Sequence, residues 1–267
     1  MTRLDHPAKR RQLLAGAGLL SLPTAWAQAP STRPGFDTKT VAEALRGLGL
    51  GTPQRSTELQ LGAPDLAENG GQVPLTLSWT AAGVRRLWLL SDKNPSSLIA
   101  QLEPSDALLP RIELRVKLAH SGTVTLLAQT ADGRLLQTQA EVRVTLGGCG
   151  DTPDDTPPPA QPQPSLIRAR RTPQGGAQLR MLVKHEMESG QRSDSKGRLV
   201  PAWYVRELAL TQQGQPVFKA LLGTGVAKDP LWGLGLRAAQ VGDSLALSWT
   251  DNRGARRSDT ATVQAAS

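Results

Sequence analysis

Near the middle of the chain, residues 151–164 hold six prolines in fourteen positions, in the order Asp-Thr-Pro-Asp-Asp-Thr-Pro-Pro-Pro-Ala-Gln-Pro-Gln-Pro. Proline locks φ and has no N–H to donate, so this stretch cannot enter a helix interior or a central strand. It reads as an extended, semi-rigid linker, with too little apolar surface to join a core. The chain is thereby divided into two parts, 28–150 and 165–267, each of single-domain size.

Both parts carry the period of two that marks half-buried strands. Upstream, Leu59 and Leu61, then Val73, Leu75, Leu77 and Trp79, then Ile112, Leu114, Val116 and Leu118 alternate with polar neighbours. Residues 84–90 are more continuously apolar, 123–129 form another strand, and 135–146 the last one of this part. Asp132-Gly133 is a hairpin turn, while 63–71 and 92–97 read as loops. One helix precedes the strands: Val41, Ala44, Leu45 and Leu48 fall at helical spacing, Asp37 or Thr38 can cap it, and Gly47, Gly49 and Gly51 end it. Downstream, strands are expected at 166–170, 177–183, 204–211, 217–222, 244–250 and 258–263, with a long loop or loose hairpin over 184–201. The fold class expected is all-β: two immunoglobulin-like sandwiches joined by the proline-rich linker, with a short N-terminal helix in the first. With no cysteine downstream of the linker, the second sandwich is expected to rest on its own core. Trp79, Trp88, Trp203, Trp232 and Trp249 are expected in the cores or between the domains.

Residues 1–27 read as a targeting segment. Lys9-Arg10-Arg11-Gln12-Leu13-Leu14 opens an apolar run, and Ala25-Trp26-Ala27 supplies a small-x-small cleavage pattern. Consecutive arginines before x-Leu-Leu suggest the twin-arginine route; an ordinary Sec signal with a basic n-region has the same outline. The expected location is the periplasm. No stretch approaches the ~20 apolar residues of a membrane span. Charge is uneven: residues 165–267 hold 15 Lys/Arg against 8 Asp/Glu, whereas 28–150 hold 12 against 11. The basic C-terminal part can steer acidic partners or simply keep the surface solvated. Export and an aromatic content of 3% argue against nucleic acid.

The single cysteine, Cys149, lies in Gly147-Gly148-Cys149-Gly150, directly after the last upstream strand and before the linker. One cysteine allows no internal disulfide, and an unpaired cysteine in an exported chain points to intermolecular pairing or a reactive thiol. Glycine neighbours allow backbone conformations closed to other residues, so Gly147, Gly148 and Gly150 are read as a flexible arm presenting the sulfur. A cysteine-dependent enzyme would need a histidine partner. Only His120 and His185 lie outside the targeting segment, and neither is in a recognisable nucleophile motif. His185 and Met187 are two soft donors and do not make a metal site. Arg170-Arg171 and Arg256-Arg257 can attract an anion or stand solvated. No cofactor and no metal is expected.

These residues resemble a known pair of families. Ala63-Pro64-x-x-Ala67-Glu68-Asn69-Gly70 with Val73-Pro74, Lys93-Asn94-Pro95, Arg115-x-Lys117 and Val142-x-Val144-Thr145-x-Gly147-Gly148-Cys149-Gly150 resemble SoxY, the sulfur-carrying subunit of the Sox sulfur-oxidation system. Lys184-His185-x-Met187-Glu188-x-Gly190, Gly197-x-x-x-Pro201-Ala202 and Gly242-Asp243 followed by Trp249-x-Asp251-Asn252-x-Gly254 resemble its partner SoxZ. The resemblance implies a SoxY-like domain at 28–150 and a SoxZ-like domain at 165–267, both immunoglobulin-like and paired within the chain. It implies that Cys149 carries substrate sulfur covalently and that the chain is not an enzyme. It implies as partners a haem c protein that attaches thiosulfate, a sulfate-releasing hydrolase and a sulfane dehydrogenase. The family's arm ends its chain in Gly-Gly-Cys-Gly-Gly; here Asp151 stands in place of the last glycine and the chain continues. Fused carriers of this type also accompany other periplasmic oxidation systems, such as quinoprotein dehydrogenases, which leaves a second carrier reading beside the thiosulfate one.

Overall fold

A computed structural model describes Met1, residues 33–148 and residues 162–266. The targeting segment, Cys149, Gly150 and most of the proline-rich stretch lie outside the described residues. The first domain contains the helix α1 (Val41–Gly47) and nine strands: β1 (Gln54–Arg55), β2 (Leu59–Gly62), β3 (Leu66–Asn69), β4 (Val73–Trp79), β5 (Val84–Ser91), β6 (Leu98–Pro104), β7 (Leu108–Val116), β8 (Gly122–Thr130) and β9 (Leu135–Leu146). The second contains β10 (Leu166–Arg171), β11 (Ala177–Leu182), β12 (Val205–Gln212), β13 (Gln215–Leu222), β14 (Leu231–Leu236), β15 (Ser244–Asp251) and β16 (Arg256–Thr262). Among the described residues no helix is long and apolar enough to cross a membrane.

The two sandwiches are fused edge to edge in both layers. One sheet runs β1-β9-β8-β5-β6-β13-β12-β15-β16, with β3 also paired on β9; the other runs β10-β11-β14-β7-β4-β2. The domain boundary is crossed twice by antiparallel ladders. In one, β6 meets β13 with Leu102 opposite Ala220; in the other, β7 meets β14 with Leu114 opposite Trp232. One apolar cluster fills the space between the layers from Leu59 and Leu77 in the first domain to Trp249 and Val263 in the second. The second sandwich therefore shares a core with the first rather than resting on its own. Trp79, Trp88, Trp232 and Trp249 are buried, and Trp203 is half-buried.

The helix explains why residues 84–90 lack strict alternation. Ala44, with Val41, Leu45 and Leu48 beside it, packs with Phe36 on Trp88, Leu90, Leu98 and Leu127 on the outer face of the larger sheet. Strands covered on both faces are apolar on both faces. The cap is Thr40 rather than Asp37 or Thr38. Its hydroxyl accepts from the Glu43 N–H, and the Glu43 carboxylate accepts from the Thr40 N–H, a reciprocal capping box.

Four strands differ from the sequence reading, the first being the two-residue β1, parallel to β9. Within the expected loop 63–71, residues 66–69 form β3, parallel to β9. β6 and β14, which sequence alone does not mark, both form, and both lie at the domain boundary. Residues 184–201 form a loose hairpin with isolated bridges at Glu188–Trp203 and Ser193–Leu199.

Candidate functional site

The glycine segment follows β9 directly, and the residues just before Cys149 are held on three sides. Along β3, Leu66, Ala67 and Asn69 pair with Arg143, Val144 and Leu146. Asn69 Oδ1 then accepts from the Gly71 N–H at 2.7 Å, turning the chain into the 3-10 turn Gly70–Gln72. The Leu118 N–H donates to the Gly70 carbonyl at 2.8 Å, and the Gly148 N–H donates to the Leu118 carbonyl at 2.9 Å. A Cβ on Gly70 would stand 2.8 Å from Gly148 N and from Leu146 O, and one on Gly148 would overlap the Gly70 peptide. Glycine is required at both positions because backbone meets backbone there. Gly148 is buried, Gly147 is exposed, and Leu146 is 69% exposed. Cys149 and Gly150 lie outside the described residues.

The segment receiving the arm, residues 117–119, is itself fixed. Buried Asn94 donates through Nδ2 to the Lys117 carbonyl at 2.8 Å and accepts through Oδ1 from the Ala119 N–H at 2.9 Å. One side chain thus satisfies two buried backbone groups. The Lys117 N–H donates to the Gly225 carbonyl at 2.7 Å, and its buried Nζ donates to the Met187 carbonyl. Both contacts cross into the second domain.

Met187 belongs to a buried network built from the downstream motifs. Its N–H donates to His185 Nδ1 at 3.0 Å, and its thioether sulfur accepts from the Val205 N–H at 3.3 Å. The His185 ring lies 4.6 Å from the Trp203 ring and edge-on to Trp249 at 5.7 Å. Asp251 accepts from Trp203 Nε1 at 2.7 Å and from the N–H groups of Arg253 and Ala255. Burial holds the His185 pKa below the usual imidazole value, although the Asp251 carboxylate, 3.7 Å from Nε2, opposes this. Nδ1 faces the Met187 N–H as an acceptor. His185 and Met187 do meet, as hydrogen-bond partners in a packed core. Among the described residues no group of three or more His, Cys, Asp or Glu is placed to hold a metal ion. His120 is exposed on the turn before β8.

The sequence reading leaves Asn69-Gly70 within the loop 63–71 and gives Lys117 no partner. The structure makes Gly70 the seat of the arm and Lys117 the link from that seat to the second domain. The short motifs Ala67-Glu68-Asn69-Gly70, Lys93-Asn94-Pro95, Arg115-x-Lys117 and Lys184-His185-x-Met187 converge on one corner of the molecule.

Comparison with known proteins follows the same division. The family model "Sulfur oxidation protein SoxY" matches residues 46–149, and "Sulphur oxidation protein SoxZ" matches residues 167–262. A search of the curated proteins found no match. Among solved structures, the sulfur carrier protein SoxY from Chlorobium limicola f thiosulfatophilum is 28% identical over 40% of this chain and 97% of its own, with a TM-score of 0.37. A beta-glycosidase from Bacteroides vulgatus is 9% identical over 83% of this chain and 26% of its own, with a TM-score of 0.25. Murine CEACAM1b is 10% identical over 78% of this chain and 100% of its own, with a TM-score of 0.26. With its two domains matched in tandem and paired through both sheets, the chain belongs to the Sox sulfur-oxidation proteins as a SoxY–SoxZ fusion.

Proposed function

We propose that this fusion is a covalent carrier of sulfur intermediates in the periplasm, holding its cargo on the Cys149 thiol and presenting it to separate Sox enzymes. SoxY and SoxZ domains are a sulfur carrier and its partner rather than catalysts. The observation that best supports the thiol's role is the anchored base: a backbone hydrogen bond to Leu118 and close packing on Gly70 hold Gly148, the residue before the only cysteine. A thiol that is handed between enzymes needs a defined point of departure, and the Gly70–Leu118–Gly148 seat supplies one. Loading with thiosulfate is a two-electron oxidation: the thiol loses its proton, an S–S bond forms to the sulfane sulfur, and both electrons leave to a haem c partner. Water then releases sulfate from the adduct at a hydrolase and leaves a persulfide, whose sulfane sulfur is the substrate of a sulfane dehydrogenase. Partner enzymes activate the thiol, since no basic residue adjoins it in sequence.

The test is intact mass spectrometry of the protein isolated from its native compartment. Sulfur-containing adducts on the wild type, absent from Cys149→Ser, are expected. An unmodified thiol in cells actively oxidising thiosulfate would exclude the proposal. Sequencing the N-terminus of the same sample checks export, with cleavage after Ala27 expected.

A further inference from the structure

The two sheets differ in what covers them. In the first domain α1 lies on the outer face of the larger sheet. The smaller sheet runs unbroken from β10 to β2 across both domains, and on its outer face Arg168, Arg170, Gln178, Arg180, Arg111 and Arg115 are exposed. The register fixes what points outward there. One row holds Arg168, Arg180, Gly233, Glu113, Thr76 and Gly62. Alongside it stand Arg170 beside Gln178, and Arg111 and Arg115 on β7. Five arginines therefore share this face with one carboxylate, Glu113. Arg180 and Arg111 bind that carboxylate at 2.5 and 3.1 Å. Arg115, Arg168 and Arg170 are exposed, and among the described residues no ion pair neutralises them.

The face is also flat and partly apolar. β14 points Gly233 and Gly235 outward, and neighbouring side chains lie across them. Leu166, Leu182 and Leu231 form one register row at the end of the sheet where β4 begins, directly after the turn that seats Gly148. Leu166 is 51% exposed. A leucine row with cations around it has the anatomy of an interface, an apolar centre with a charged rim. Six strands by three outward rows measure about 25 by 20 Å, roughly 500 Å², the size of a transient contact.

Building on the carrier reading, we propose that this outer face is the docking surface for the acidic surface of the enzyme that acts on the Cys149 cargo. Guanidinium forks match carboxylates in a planar, paired geometry, and unneutralised arginines speed encounter with an acidic partner. The leucine row sits at the end of the sheet where β4 begins, so a partner gripping this face is brought toward the turn that seats Gly148, the residue before the thiol.

The probes are the purified haem c, hydrolase and sulfane dehydrogenase proteins of the same Sox system, with association to the full mature chain followed by interferometry. Arg115→Glu/Arg168→Glu/Arg170→Glu is expected to slow association with at least one enzyme roughly tenfold at about 25 mM salt and to flatten its salt dependence. The corresponding glutamine variant should lose less. Arg85→Glu/Arg86→Glu, on the other sheet, should change nothing, and equal melting temperatures establish that all variants are folded. Unchanged association in the triple variant, with Cys149 still acquiring its adduct, overturns the docking surface and leaves the carrier reading standing. Arginine-dependent association without any adduct on the wild type supports the surface and overturns the carrier reading. Binding to anionic phospholipid vesicles that the triple variant loses, with enzyme association unchanged, assigns the face to a membrane and overturns the proposal.

Discussion

His185 shows how one buried ring makes stability depend on pH. Its Nδ1 accepts from the Met187 N–H, so protonation there would set two donors against each other. Burial depresses its pKa, with Asp251 and Glu186 opposing and Arg253 reinforcing the shift. A histidine whose folded pKa is lowered binds fewer protons when folded than when unfolded. Its contribution to stability is therefore complete above about pH 6.5 and is lost as pH falls from there toward the lowered folded value. Urea midpoints measured between about pH 8 and 5 should fall on the acid side in the wild type. His185→Asn, which keeps an acceptor for Met187 and does not titrate, should flatten that fall. Asp251→Ala strips the acceptor from Trp203 Nε1 and two backbone N–H groups. It should cost about 2–4 kcal/mol in chemical denaturation. Little of this is legible in the sequence. Lys184-His185-x-Met187 is visible as a motif, but the histidine's surroundings come from Trp203, Trp249 and Asp251, far along the chain, and spacing cannot reveal contacts made through space.

At the scale of elements, glycines act as contact surfaces. Gly70 and Gly148 let β3, the 3-10 turn and β9 close on one another. Gly70→Ala should cost roughly 1–3 kcal/mol by overpacking and speed hydrogen exchange at the Gly148 amide. An amide that exchanges no faster in the variant would show that the seat does not depend on this contact. The elements missed in sequence share a physical cause. Strands β4, β7 and β9 announce themselves by alternation or by hairpin turns. The four-residue β3 pairs in parallel, so no hairpin marks it. β6, Leu-Ile-Ala-Gln-Leu-Glu-Pro, is buried on both faces at its start, which removes the period of two. β14, Leu-Trp-Gly-Leu-Gly-Leu, carries glycines where outward side chains belong, and glycine argues against strand in any local reading. In each case the local signal is weak because the neighbour that makes the strand lies elsewhere in the chain.

Across the whole molecule, the division into two domains is plain in the proline-rich stretch, yet the described halves are not independent bodies. Arg33–Ser267 form one unit with a shared core and two continuous sheets. Calorimetry should accordingly record one cooperative transition, with calorimetric and van't Hoff enthalpies in agreement. Two resolved transitions would contradict a shared core. Cleavage at a protease site placed within residues 151–161 should leave both halves eluting together in gel filtration, because the ladders and the Lys117–Met187 contact remain.

The two seams have a further cost and benefit during synthesis. β6 and β7 on one side, and β13 and β14 on the other, are satisfied on one edge only by the opposite domain. Apart, each half would bare two rows of unpaired N–H and C=O groups, ready templates for adhesion to other chains. Halves made as separate chains would need protection until they met, for a time set by their dilution. In a single chain the second half emerges already tied to the first, at a high local concentration. The covalent join thus works as a built-in holdase, shortening the interval in which naked sheet edges meet anything else.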